Sequence, residues 1–246
     1  MKISHRFFLI SAVASTAALA VLTGCVSSSE PESNSDVTAI DICLEPDATM
    51  VQHAEAVNAR LRGVFPKGFA LDASHHPHVT LVQRFVRTAD LDQVYAAAGK
   101  AIANANVAGL KLEAFKYYYI PDKELGLSGI VIKPTPELLK VEQGVIDAVA
   151  PFTVKTGTSS AFVDSNDPGV NQLLITYVEE FVPEHSGEHF SPHVTTGLAP
   201  REYLDKMLAE PFENFTFSPA GAAVYHLGPY GTAAKKLKQL SGEAVN

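Results

Sequence analysis

Apolar and polar positions along the chain switch between a period near two and a period near three and a half, and the switches mark its elements. Ile40 to Leu44 reads as a strand. Asp47 is placed to cap a helix reaching Leu61, with Val51, Ala54, Val57 and Leu61 on its apolar stripe and Asn58 at the stripe's edge. Gly63, Pro66 and Gly68 break the chain before a β-branched strand, His78 to Val86. Thr88 opens a helix to Ala103. Leu110 to Ile120 and Leu127 to Ile132 pair around a turn containing Pro121, Asp122 and Gly126. Pro136 starts a helix reaching Ala150. Leu173 to Val178 reads as a strand, His193 begins another, and Pro200 to Leu208 as a short helix. Phe215 to Phe217 and Ala222 to Leu227 read as further strands, and Lys235, Lys236 and Lys238 as the basic end of a closing helix. The order helix, strand, helix, strands occurs twice. Mixed elements with hairpin-like connections predict an α+β fold in two similar lobes rather than a doubly wound parallel sheet.

The first residues have a different pattern. Lys2 and Arg6 precede an apolar run from Phe7 to Leu22 that Ser11, Ser15 and Thr16 interrupt, which is the layout of a secretory signal and too short for a confident membrane span. The run ends in Leu22-Thr23-Gly24-Cys25, which resembles a bacterial lipobox; that resemblance implies removal of residues 1–24 and lipidation of Cys25, against the plainer reading of an ordinary cleaved signal. Residues 25–38, rich in Ser and acids, bury too little apolar surface to fold and are expected to form a tether to a domain spanning 39–246. Val26 in place of an Asp after the lipidated Cys points to the outer membrane facing the periplasm, if the source is Gram-negative. With Cys25 used for lipid, Cys43 is left as a small core residue without a disulfide partner in the chain.

Composition narrows the partners. The 246 residues are 46% hydrophobic and carry 19 basic and 27 acidic side chains, a formal net charge of −8. Lys2 and Arg6 lie in the leader, which holds no acid, so the mature chain is more acidic still. Such a surface repels long nucleic acids, while a small anion in a local pocket remains compatible with it. The lipid anchor would be the chain's contact with a membrane.

Two stretches match: His76-Pro77-His78-Val79-Thr80-Leu81 and Ser191-Pro192-His193-Val194-Thr195-Thr196. In a strand, His78 and Thr80 share one face, as do His193 and Thr195. Two such strands facing one cleft would offer two imidazoles to divide general base and general acid work. Two hydroxyls could hold phosphoryl oxygens. That chemistry requires no metal or cofactor.

Paired H-x-T motifs more than 100 residues apart resemble the 2H phosphoesterase superfamily, which includes 2′-5′ RNA ligase-like proteins and cyclic nucleotide phosphodiesterases. The tail Ala223-Val224-Tyr225-His226-Leu227-Gly228, followed by Tyr230-Gly231-Thr232, is also similar to that family's last strand and turn. The resemblance implies a bilobal α+β fold, each lobe a mostly antiparallel sheet with outer helices, around a central cleft. It implies metal-independent phosphodiester chemistry on a small nucleotide or a short RNA bearing a 2′,3′-cyclic phosphate, with His78 and His193 as acid and base and Thr80 and Thr195 holding phosphate. Which histidine plays which part stays open at this level, as does hydrolysis against ligation.

Other readings compete. Arg84 has the strand parity of His78 and Thr80 and could serve as a phosphate cation, unless a bulge breaks the parity. His185, His189 and His193 recur every four residues, a helical zinc spacing that Gly187 and Pro192 argue against. Tyr117, Tyr118 and Tyr119 could offer a base-stacking face or divide between core and rim. A binding protein of the same fold without turnover is the alternative to an enzyme.

Overall fold

The computed structural model describes residues 36–242. The signal segment 1–24, the lipidation at Cys25 and most of the expected tether lie outside the described residues. In chain order the elements are β1 (Val37–Pro46), α1 (Ala48–Val64), β2 (Val79–Arg87), α2 (Leu91–Ala105), β3 (Leu112–Asp122), β4 (Leu125–Ile132) and α3 (Pro136–Val149). There follow β5 (Thr153–Val154), α4 (Gln172–His185), β6 (His193–Pro200), α5 (Arg201–Leu208), β7 (Phe215–Phe217), β8 (Pro219–Leu227) and β9 (Ala233–Ser241).

The fold is α+β with two antiparallel sheets, a five-stranded one in the order β5-β2-β1-β8-β9 and a four-stranded one in the order β6-β4-β3-β7. The sheets are interleaved in the chain rather than laid down as successive halves: β8 and β9 return from the C-terminal end to pair beside β1. Helices α2 and α3 pack on the five-stranded sheet, and α1 and α5 on the four-stranded one. Strand β1 is buried on both faces. Ile40, Ile42 and Leu44 join the main core, whereas Ala39, Asp41, Cys43 and Glu45 alternate with them on the opposite face.

Several elements follow the sequence closely. Asp47 caps α1, its carboxylate accepting from the backbone N–H groups of Thr49 and Met50, and Thr135 caps α3 ahead of Pro136. The buried stripe of α1 is Met50, Ala54, Val57, Asn58 and Leu61, so Met50 takes the place expected of Val51. Asn58 is buried because its amide donates to the Phe69 and Thr196 carbonyls at 3.0 and 2.8 Å. The helix expected from Thr88 starts at Leu91 after a single tight turn, and Thr88 Oγ1 instead pairs with Thr38 Oγ1 at 2.8 Å.

Two elements differ in kind. Leu173 to Val178, expected as a strand, lies in helix α4. Asn171 accepts from the N–H groups of Leu173 and Leu174, and Leu174, Ile175, Val178 and Phe181 bury one helical face. Tertiary burial at helical spacing overrides the β propensity of Ile175, Thr176, Tyr177 and Val178. The C-terminal lysines end no helix. Lys235, Lys236 and Lys238 lie on β9, an edge strand, where charged side chains protect unpaired backbone groups.

Candidate active site

The two H-x-T segments enter the cleft from different sheets on the same backbone device. In β2, Thr80 pairs with Cys43 and Val82 with Ile42, so Leu81 is an extra residue that bulges the strand. In β6, Thr195 pairs with Gly129 and Gly197 with Ser128, so Thr196 is the extra residue, and Gly197 takes φ of +140°. Each bulge sits one residue after its threonine and inverts the strand's parity beyond that point. The residue three after the threonine therefore joins it at the cleft: Gln83 in β2 and Leu198 in β6.

That inversion corrects the expectation for Arg84. The arginine is half-buried but does not line the cleft, and burial lowers its pKa from the ordinary value. Gln83 holds the place that unbroken alternation would have given it. The cleft, about 370 Å³, brings together His78, Thr80, His193 and Thr195. An adjoining cavity of about 350 Å³ shares Thr80 and His193.

Both histidines are fastened through Nδ1. His78 Nδ1 lies 2.7 Å from the His76 carbonyl, and His193 Nδ1 lies 2.8 Å from the Ser191 carbonyl. With a carbonyl as partner Nδ1 must be the donor, which leaves Nε2 of each ring for chemistry.

What surrounds each Nε2 differs. Asp41, fully buried at the centre of β1, places Oδ2 3.3 Å from His78 Nε2. The same oxygen accepts from Thr80 Oγ1 at 2.7 Å and from Gln83 Nε2 at 3.0 Å. Burial alone would lower the His78 pKa, but the Asp41 carboxylate and the His76 carbonyl outweigh it, and the net shift is upward. Among the described residues no acid forms an ion pair or hydrogen bond with His193, which packs against Tyr118 with ring centroids 4.8 Å apart. Loss of water lowers its pKa to about 4, the nearby His78 adding to the effect.

The registers extend this contrast across whole rows. Gln83 pairs with Asp41 and Asp41 with Tyr225, a polar row across β2, β1 and β8. Leu198 pairs with Leu127 and Leu127 with Ile120, an apolar row across β6, β4 and β3. The turn after β8 closes the polar side: Gln83 Nε2 also donates to the Gly231 carbonyl at 3.1 Å, and Tyr230 and Gly231 both have positive φ, 58° and 73°. A left-handed tyrosine is a costly conformation held by its surroundings.

Asp41, Gln83 and Tyr177 are residues that sequence reasoning missed. An acid inside the apolar run from Ala39 to Leu44 was the available signal for Asp41. Tyr177 lines both cavities from α4, and burial pushes its phenol up to about 12. Of the tyrosine triplet, Tyr118 meets His193, Tyr117 packs on Phe212, and Tyr119 donates to Asp205 at 2.6 Å.

The remaining histidines take other places. Helix α4 ends at His185, and a turn through Gly187 separates it from His189 and from His193 in β6, so the three share no helical face. All three border the smaller cavity, with His185 stacked on Tyr177 at 4.3 Å. His75 stacks on Phe69 and His76 packs against Tyr225, both outside the cleft lining. His53 stacks on Phe215, and His226 Nε2 lies 2.8 Å from the Ala161 carbonyl.

No family model and no curated protein matches the chain. Among solved structures it is similar in fold to the crystal structure of TT0787 of Thermus thermophilus, at 16% identity and a TM-score of 0.48, over 84% of this chain and 100% of that one.

Proposed function

We propose that the protein is a phosphodiesterase of the 2H type, opening a 2′,3′-cyclic phosphate or related diester with His193 as general base and His78 as general acid. The observation that supports this division is the position of Asp41 beside His78 and not beside His193. A histidine with acceptors near both nitrogens keeps its second proton, whereas one held by a carbonyl through Nδ1 and depleted of water keeps a free lone pair on Nε2. Two groups whose surroundings push their pKa values apart suit acid and base roles in one step.

In that step water attacks phosphorus while His193 Nε2 takes its proton. A new P–O bond forms, the bond to the ribose oxygen breaks, and His78 Nε2–H protonates the leaving oxygen. Thr195 Oγ1 donates to a non-bridging oxygen. Thr80 Oγ1 can do the same once it turns from Asp41, and the Asp41 contact to His78, at the long end of hydrogen-bond range, leaves that proton transferable. The chemistry of the two histidines requires no metal.

The test is turnover of 2′,3′-cyclic and 3′,5′-cyclic nucleotides in excess EDTA by the wild type, His78→Ala and His193→Ala. Hydrolysis that survives EDTA and falls by about 10²-fold or more in each variant is expected. Unaltered rates in either variant would sink the assignment, and loss to EDTA alone would move the reading to a metal-dependent hydrolase.

A further inference from the structure

We propose that the cleft selects a phosphodiester with one negative charge and an uncharged, apolar arm, and discriminates against the same ester bearing a second phosphate. The inference rests on the phosphodiesterase reading for its reacting group and goes beyond it in naming what lies on the far side of that group.

The two sides of the cleft carry different chemistry on the same kinked strands. One side offers the hydroxyl of Thr80 and the imidazole of His78. The other is the row Leu198, Leu127 and Ile120, continued by Leu173 and Leu174 from α4. At the mouth, Leu173 is 74% and Ile120 42% exposed. They are two of the four large apolar side chains left exposed among the described residues, and both border this one opening. Exposed aliphatic groups gathered at a cleft whose other wall is polar are suited to an apolar ligand arm.

Charge limits the rest of the ligand. Among the described residues that line the cleft and its adjoining cavity there is no Lys or Arg. The cationic donor is His78, and Asp41 already stands 3.3 Å from it, while Asp122 lines the same cleft. A single phosphodiester charge can be held by neutral donors and the imidazolium. A second phosphate would lose water next to leucines and an aspartate without gaining a counter-charge. A nucleobase and a hydrocarbon chain both satisfy the apolar arm, and their shared chemistry is a five-membered cyclic phosphodiester with an uncharged substituent.

The experiment uses the full chain with three probes: adenosine 2′,3′-cyclic phosphate, its 5′-phosphorylated form, and a 1-acylglycerol 2,3-cyclic phosphate. Rates are measured on the wild type, and binding by calorimetry on His193→Ala. The 5′-phosphate should lower both kcat/KM and affinity at least about tenfold, and Leu173→Lys should close most of that gap. The better of the other two probes identifies the arm. Equal or tighter binding of the 5′-phosphorylated probe, or a gap that Leu173→Lys leaves unchanged, would overturn the selectivity. Discrimination in binding without turnover of any probe would uphold the selectivity and overturn the phosphodiesterase reading. Turnover without discrimination would do the reverse, and failure of every probe to bind or react would overturn both.

Discussion

Strands β2 and β6 carry the same tripeptide, bulge one residue after its threonine, and fasten their histidines by Nδ1 to a carbonyl two residues back. They differ in the neighbouring strand. Beside β2 stands Asp41, whereas at the matching register beside β6 stands Leu127. Burial pushes both histidines down; the contacting Asp41 carboxylate reverses that for His78, whose net shift is upward, whereas burial prevails at His193 and takes it to about 4. The difference teaches that the motif supplies geometry, while the row in which it sits supplies the protonation state.

The sharpest way to break the comparison is at the threonines. Thr80 donates to Asp41 in the free protein, but Thr195 Oγ1 has no protein partner among the described residues. Thr195→Val should therefore leave the denaturation midpoint nearly unchanged while lowering kcat by about 10²-fold, the cost of one oxyanion donor. Thr80→Val should lose a comparable rate and also about 1.5 kcal/mol of stability, as a half-buried bond to a charged acceptor is removed. Denaturant titration beside steady-state kinetics separates the two. Equal stability loss in both variants would contradict the asymmetry.

Next in size is Asp41→Asn. The wild-type pH–rate profile should be a bell, with an acid limb near 4 where His193 gains its proton and an alkaline limb raised from the ordinary histidine value where His78 loses its own. Asp41→Asn should move the alkaline limb to lower pH and leave the acid limb in place, at about tenfold in rate per unit of movement. Stability follows the same signs. His78, held high, stabilises the fold fully below about pH 6.5 and loses that contribution as pH rises through its folded value. His193, held low, contributes fully above about pH 6.5 and loses it as pH falls toward 4. Urea midpoints across this range should show the loss on the alkaline side shrink in Asp41→Asn. An alkaline limb that does not move would remove Asp41 from the account of His78.

The smallest expected effect is that of Gln83→Leu, which makes the first strand resemble the second. It removes one donor from Asp41 and the tie to the Gly231 carbonyl. A loss of a few-fold in kcat with little change in KM is expected, since Gln83 positions the turn and the carboxylate rather than the reacting atoms.

The motif strands, the capped helices α1 and α3 and the β3–β4 hairpin were legible in the sequence because each announces itself locally. Asp47 and Thr135 precede apolar helical stripes, and Pro121 to Gly126 surrounds a reversal. Asp41 was not legible as a site residue. β1 is buried on both faces, so the alternation that would reveal a side chain's direction is absent. Arg84 and Gln83 exchanged places through a single extra residue, Leu81, which leaves no mark in composition. Tyr177 and Leu173 were lost with the assignment of α4, whose β-rich segment becomes helical through Asn171 and the spacing of its buried positions.

Interleaving of the sheets has a consequence for how the molecule is made. The sheet that carries His78 joins residues near position 40 to residues beyond position 220, in strands that lie side by side. A chain emerging from its N-terminal end can assemble α1 and the β3–β4 hairpin early, but β1 gains its second neighbour only after residues 219–227 have been made. The pair His78 and Asp41 can therefore meet early, on β1 and β2, while the turn through Gly231 that closes their side of the cleft arrives late.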